Sequence, residues 1–461
     1  MKRAGSRIGI SLSILVGVGA GAAHAQTSSY NFQQLNTNGL RFVQGYDIAE
    51  GMAVGYGIGP GENDVEHAFA WRLDNVGQRQ DISNGVFRTT ATSVDDAHQV
   101  TGFAFTADAI RQSKVAFWSS PSATPVLPAP DLSWGEGYAV SGGHYVGWGH
   151  RLQAPNAVPD RGFVWNNDGS SQRVALEGPH NDGASTVAES IDGNWVAGYA
   201  QLIGTDRFGA AAWDISNLGS IHAVDLHPAG YDWSQTGSIR GTRAVGLART
   251  APVGQAFNHA WTWDVTTGQG QDLHTMIPAS AGLVGSGASD VVGNLVVGTA
   301  MDAAGNVKAV AWDLGSNAFI DLTQFLPAGV TFSGAEAINR SGQIVGEYWL
   351  GEANRNVFVL TPGRTDGDAN ADGRVNLDDF NTLAANFGKS GRSWFEGDFT
   401  HDGVVNLNDF NVLAANFGVQ ASGPNVTPGD WQALGSAVPE PAAAGALVLV
   451  AGAALLSRKR R

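Results

Sequence analysis

A tryptophan that returns about every 48 residues constrains this chain more than any other feature. A small residue, an apolar residue and Trp recur at Ala68-Phe69-Ala70-Trp71, Ala116-Phe117-Trp118, Phe163-Val164-Trp165, Ala211-Ala212-Trp213, Ala260-Trp261-Thr262-Trp263 and Ala309-Val310-Ala311-Trp312. The aligned tryptophans are 47, 47, 48, 50 and 49 residues apart. A second landmark, an apolar run ending in Gly, keeps the same step at Gly55, Gly102, Gly147, Gly198, Gly246, Gly298 and Gly346. Self-similarity at a fixed period means that one supersecondary unit is stacked many times.

Each unit reads as short strands bounded by turn residues. After the Trp strand come Gly or Asn turns and an Asp-Leu-like strand (Asp81-Ile82, Asp225-Leu226, Asp272-Leu273, Asp321-Leu322). A hairpin then completes the unit, as at Ala335–Asn339 and Gln343–Gly346 around Ser341-Gly342. About four strands per ~40–50 residues fit a β-propeller blade, whereas a parallel β-helix coil needs roughly half that length. Asn356 to Leu360 reads as a seventh first landmark with Leu in place of Trp, and Tyr46 to Gly57 as a unit holding only the second. Two incomplete ends that add up to one unit point to a ring closed by pairing N- and C-terminal strands. The expected fold is therefore all-β, a seven-bladed β-propeller followed by a small α-helical calcium-binding module. Six or eight blades follow if the divergent unit at 225–250 is miscounted. The unit resembles the HAF extracellular repeat, whose three letters stand at His67-Ala68-Phe69; that resemblance implies no particular activity.

Both ends read as export signals. Lys2, Arg3 and Arg7 precede an apolar run from Ile8 to Ala22, and Ala23-His24-Ala25 is a small-x-small cleavage site. At the other end, Val438-Pro439-Glu440-Pro441 leads into an apolar stretch from Ala442 to Leu456 and a basic cluster, Arg458-Lys459-Arg460-Arg461. That tail resembles the PEP-CTERM sorting signal of Gram-negative bacteria. The resemblance implies an exosortase-type processing enzyme, transient inner-membrane anchoring and a final place on the cell surface or in the extracellular matrix. The expected division is a signal peptide (1–25), the repeat domain (26–362), a paired-loop module (363–419), a linker (420–437) and a sorting tail with a short membrane segment (438–461). Without the two signals, 20 basic residues face 41 or 42 acidic ones, a net charge near −22. Such a chain repels nucleic acid and anionic lipid, so nucleic-acid binding is excluded and membrane contact is confined to the tail. It has no cysteine, so packing or bound metal must brace it outside the cell.

Metal is what residues 366–418 suggest. Asp368 to Asp379 is a twelve-residue loop with oxygen ligands at Asp368, Asn370, Asp372, Asn376 and Asp379, the Arg374 carbonyl, and Gly373 at the sharp turn. Thirty residues on, the pattern returns as Asp398, Thr400, Asp402, the Val404 carbonyl, Asn406 and Asp409. A hard cation takes six to eight oxygens, so two Ca2+ ions are expected. Each loop runs into a helix with one apolar stripe, Phe380, Leu383, Ala384 and Phe387 in the first and Phe410, Leu413, Ala414 and Phe417 in the second. Gly388 and Gly418 are the expected stops. A duplicated loop-helix resembles a type I dockerin, which implies a cohesin-like or matrix protein as partner. The chain departs from that family at the recognition positions, which are Leu377-Asp378 and Leu407-Asn408 in the loops and Ala384-Ala385 and Ala414-Ala415 on the helices.

Two functions follow. One is a non-enzymatic surface or matrix protein whose propeller binds a partner or polysaccharide; no catalytic residue is assigned. The other is a secreted carbohydrate-active enzyme, a hydrolase or lyase, with Asp95, Glu136, Glu189 and Glu336 as candidate carboxylates near blade hairpins. The motif tryptophans are expected to pack between sheets, with Trp134, Trp148 and Trp233 as candidate exposed platforms. His67, His144, His150 and His259 lack metal-ligand spacing and are expected in solvated or hydrogen-bonded roles.

Overall fold

The computed structural model describes residues 30–419 apart from 60–64, 87, 107–111, 130, 151–159, 167–171, 181–182, 250–256, 352–354, 364, 371–373 and 401. Both export signals and the linker lie outside the described residues. Seven antiparallel sheets follow one another, six of four strands and one of three. The innermost strands (a) are Val43–Ala49, Thr89–Val94, Trp134–Ser141, Thr186–Asp192, Trp233–Arg240, Leu283–Val292 and Phe332–Ile338. Each lies beside the next, and the last lies beside the first. The protein is thus a seven-bladed β-propeller around a central channel. In the second blade the fourth strand shrinks to one bridge, Phe117 with Val126.

The two landmarks are the second and third strands of each blade (b and c). The Gly landmark stands in the middle of strand b, where strand a carries a one-residue bulge opposite it in every blade. The bulge drives backbone against that Gly: a Cβ at Gly55, Gly102 or Gly198 would stand 1.9–2.0 Å from the carbonyl oxygen of Gln44, Thr90 or Val187. No side chain fits there.

Strand c carries the Trp, and the packing role expected of it holds. Trp71, Trp118, Trp165, Trp213, Trp263 and Trp312 are all at most 2% exposed. Indole N–H groups reach back one blade, Trp118 to the Ile82 carbonyl at 2.7 Å and Trp213 to that of Glu177 at 2.7 Å. The Asp-Leu pairs are corrected in one detail. The Asp ends strand d, and the apolar residue follows the strand, buried against the Trp of the next blade (Ile82 with Trp118, Leu226 with Trp263, Leu273 with Trp312). Leu360, the stand-in for Trp, meets Leu322 in the same way.

Closure by the two chain ends holds, but the closing strand differs from the expected one. Tyr46 to Gly57 is the inner hairpin of a complete first blade whose strand c holds Trp71. The strand that completes blade 7 lies upstream, Tyr30–Gln34 paired with Arg355–Pro362.

Residues 365–419 form a separate small core on this ring. Helix α1 is Leu377–Asn386 and α2 is Leu407–Asn416. Phe380 and Phe410 meet edge to face at 6.3 Å, with Leu383, Leu413, Phe417, Trp394 and Phe399 buried around them. The expected stripe fails at Phe387, which is 43% exposed, whereas Phe417, at the same C-cap geometry after α2, is buried. Gly388 and Gly418 stop the helices at positive φ (79° and 85°).

Candidate calcium centre and channel wall

The two loops are tied together across a near-twofold axis. Val375, in the first loop, exchanges backbone hydrogen bonds with Gly418 and Val419 after α2, and Val405, in the second, does so with Gly388 and Lys389 after α1. Gly367 precedes the first loop and lies against Leu413 of α2, and Gly397 precedes the second and lies against Leu383 of α1. Each loop is therefore held by the other's helix.

In the second loop the carboxylates of Asp398, Asp402 and Asp409 come within 4.8 Å of one another. Backbone amides aim them: Gly403 N–H donates to Asp398 at 2.8 Å, Val404 N–H to Asp402 at 2.9 Å, and Thr400 and Asn406 N–H to Asp409 at 2.9 and 2.8 Å. The Thr400 hydroxyl also donates to Asp409 at 2.9 Å. An all-oxygen set in which three like charges converge fits a hard divalent cation, which would offset their repulsion. In the first loop, Asp368 and Asp379 are buried, and Asp379 accepts from the backbone of Asn370 and Asn376 at 3.2 and 2.8 Å. Asp372 lies outside the described residues. Arg374, the seventh residue of the loop, stands in an isolated bridge position before α1.

Asn376 and Asn406 carry a role that spacing alone did not reveal. Each caps its helix, accepting from the backbone of Asp378 at 2.7 Å or Asn408 at 2.8 Å, and each forms a capping box with the loop's last Asp. The loop's final carboxylate thus binds the start of the helix as well as closing the loop.

The module leans on the face of the ring that bears the a–b hairpins. Trp394 N–H donates to the Arg340 carbonyl at 3.1 Å, and its indole N–H donates to the Asp368 carbonyl at 2.8 Å. One residue therefore links blade 7 to the first loop. Phe395 packs on the blade 6–7 core beside Gly293. Between the two bodies lies a crevice of about 460 Å³ lined by Arg240, Arg243, Arg340 and Arg392 with Asp192 and Glu396. Thr382, Ala385 and Asn386 of α1 also line it, while Asn408, Asn411 and Ala415 on α2 are exposed.

The candidate carboxylates divide. Asp95 is a hairpin residue that accepts from the Ala97 and Gln99 amides at 3.0 and 2.8 Å. Glu189 and Glu336 are bulge residues of strand a, and Glu136 stands two residues before the bulge of blade 3. The bulge residues of the seven blades are Tyr46, Thr92, Tyr138, Glu189, Gly237, Ser289 and Glu336. Every one keeps solvent contact while the residue before it is buried. On an innermost strand that solvent is the central channel.

Tyr138 OH donates to Glu136 at 2.9 Å, and Trp148 Nε1 donates to the Tyr138 oxygen at 3.0 Å. Trp148 is thus a channel residue rather than a surface platform. Trp233 is half-buried under the Arg249 guanidinium at 5.3 Å, and Trp134 is half-buried opposite His150. Three of the four histidines fill the expected hydrogen-bonded roles, His67 with Asp81 at 2.8 Å, His150 with Asp160 at 3.1 Å and His259 with Asp272 at 2.8 Å, whereas His144 Nδ1 is buried without a partner among the described residues.

Burial pushes the Glu189 carboxyl up to about 7, helped by the charge of Glu136, and Glu336 up to about 7, helped by Glu347. From pH 4.5, the ordinary value, to about 7, the folded protein holds protons that the unfolded chain has released. These groups therefore subtract stability as pH rises through that window. Glu189→Gln is expected to stabilise the propeller at pH 8 by on the order of 1–3 kcal/mol and to change little at pH 4. Melting curves of the two proteins at both pH values check this.

No protein-family model matches the chain, and no curated protein matches it. Among solved structures it is similar to the β-propeller domain of the trilobed protease from Pyrococcus furiosus (8% identity, 70% of this chain and 97% of that one, TM-score 0.48). It is also similar to one of two prolyl endopeptidases analysed together (13%, 73% and 48%, 0.48) and to an acylaminoacyl peptidase from Pyrococcus horikoshii (10%, 70% and 52%, 0.44). The match spans about half the length of those two peptidases. The seven-bladed ring rests on the strand pairing of this chain itself. Among the described residues no helix is long and apolar enough to cross a membrane.

Proposed function

We propose that this is an exported cell-surface or matrix protein, a non-enzymatic binding propeller with a calcium-dependent docking module. The observation that carries the reading is the cross-tied pair of acidic loops seated on one face of the ring, which leaves the opposite face and the channel open to a ligand. Two Ca2+ ions would be held by the two loops. A cohesin-like or matrix protein would meet the exposed positions of the two helices, Asp378 and Asn381 on α1 and Asn408, Asn411 and Ala415 on α2. The tail would be cut by an exosortase-type enzyme after brief inner-membrane anchoring.

A second reading, a polysaccharide hydrolase or lyase tethered by its module, draws on the neighbouring Glu136 and Glu189 and on Glu336 and Glu347. A glycosidase needs two carboxylates flanking one bond. Purified protein assayed on a polysaccharide panel, with binding and depolymerisation scored together, separates the two. Binding without chain shortening is expected. Release of reducing ends, lost in Glu189→Gln, would overturn the non-enzymatic reading.

A further inference from the structure

The channel wall is unevenly furnished. Blades 7, 1, 3 and 4 bring Glu336 and Glu347, Tyr46 and Tyr56, Glu136, Tyr138 and Trp148, and Glu189 and Tyr199. Blade 5 brings Gly237 at the bulge position, and blade 6 brings Gly287 two residues before its bulge residue Ser289, the position Glu136 holds in blade 3. Neither glycine is demanded by the backbone. A Cβ at Gly237 would meet nothing closer than 3.5 Å and one at Gly287 nothing closer than 3.4 Å, and neither has positive φ. Glycine here leaves space, in contrast to the strand-b glycines.

The chemistry facing that space is specific. Glu189 and Glu336 are deeply enclosed and have no hydrogen-bond partner among the described residues. The Arg355 guanidinium lies 4.3 Å over the Trp349 ring beside Glu347, and Arg88 is paired with Glu66 at 2.9 Å. Carboxylate charge on the wall therefore exceeds the cations that meet it. A bare metal does not fit, because among the described residues three or more acidic or imidazole groups converge only in the second calcium loop. Aromatic faces do not ligate a hard metal, but they attract an ammonium group. Gln44, Gln235, Ser289 and Thr299 add half-exposed neutral groups without partners among the described residues, suited to hydroxyls.

We propose that the channel binds an amino-sugar oligomer, one ammonium group held by Glu189 beside Tyr199 and another by Glu336 beside Tyr46, with a sugar ring lodged over Gly237 and Gly287. This deepens the reading of the propeller as the binding element and does not depend on the calcium module. The test is calorimetric titration of the calcium-loaded full chain with a glucosamine trimer, its N-acetylated counterpart, a glucose trimer and a lysine tripeptide. The glucosamine trimer is expected to bind at least about 10-fold more tightly than the other three, the size of effect one desolvated ion pair supplies. Glu189→Gln and Glu336→Gln should each remove about 10-fold. Gly237→Leu should block binding, with an unchanged melting temperature showing that the ring is intact. Equal binding of the acetylated or glucose trimer would overturn the proposal while leaving a sugar-binding propeller in place. Preference for the lysine tripeptide, or no binding by any probe, would overturn it outright.

Discussion

Removing calcium from this protein is expected to unfold residues 365–419 and leave the propeller standing. Asp368, Asp379, Asp398 and Asp409 are each at most 1% exposed, so four carboxylates are buried in a module with one small core. Buried charge without a counter-charge is among the costliest things a fold can contain. Backbone amides offset part of that cost, and two divalent cations would offset the rest. A site at ~1,000 times its Kd in calcium gains about 4 kcal/mol, comparable with the whole stability of a domain this small. Hydrogen exchange in α1 and α2 of the full chain should accelerate at least about 100-fold on moving from millimolar calcium to chelator, with blade amides unaffected. Asp372→Ala with Asp402→Ala should abolish the calcium response, whereas Asp378→Ala, at an exposed position outside the ligand set, should not. Helices equally protected in chelator and calcium would sink the assignment of the loops.

Gly198→Ala should be among the most damaging single methyls in the ring. Its Cβ would stand 2.0 Å from the Val187 carbonyl oxygen, and the obstacle is backbone on the innermost strand, which cannot swing aside. Relief requires undoing the strand-a bulge, and a loss of about 3 kcal/mol or more is expected. Gly237→Ala, in the neighbouring blade, is the control: with 3.5 Å of clearance it should change the melting temperature by little. Similar losses in both variants would mean that the strand-b glycines are not enforced by the bulge.

The contrast between those glycines shows what could be read from residues alone. Trp71 and its counterparts, and Gly55 and its counterparts, were visible because each makes one contact that every blade repeats. The apolar residue after strand d was visible for the same reason, although its place just beyond the strand was not. Tyr30–Gln34 escaped because Tyr-Asn-Phe-Gln-Gln bears neither landmark; only the free edge of Arg355–Pro362 defines it. The paired acidic loops were plain in outline, since oxygen-bearing side chains at fixed steps around a glycine have few other uses. The capping by Asn376 and Asn406 and the bridge through Trp394 depend on neighbours far along the chain. So does the polar link between blades, in which Asp47 accepts from the Ser93 hydroxyl at 2.7 Å and Asp290 from the Ile338 amide at 2.9 Å.

The closing strand also sets the order in which the molecule can be made. Phe32 pairs with Leu360, so an early segment must wait for almost all of the repeat domain before its partner exists. The thermodynamic cost of that wait is small, since each doubling of a loop adds only ~0.6 kcal/mol. Its kinetic cost is larger, because pairing between distant segments is slow and leaves strand edges open meanwhile. Six blades can assemble one after another as the chain emerges, each against its predecessor, while the seventh must recruit the beginning of the chain to its end. The last event in making this ring is therefore the capture of five residues that emerged near the start, and a chain stalled before residue 355 would hold blades but no circle.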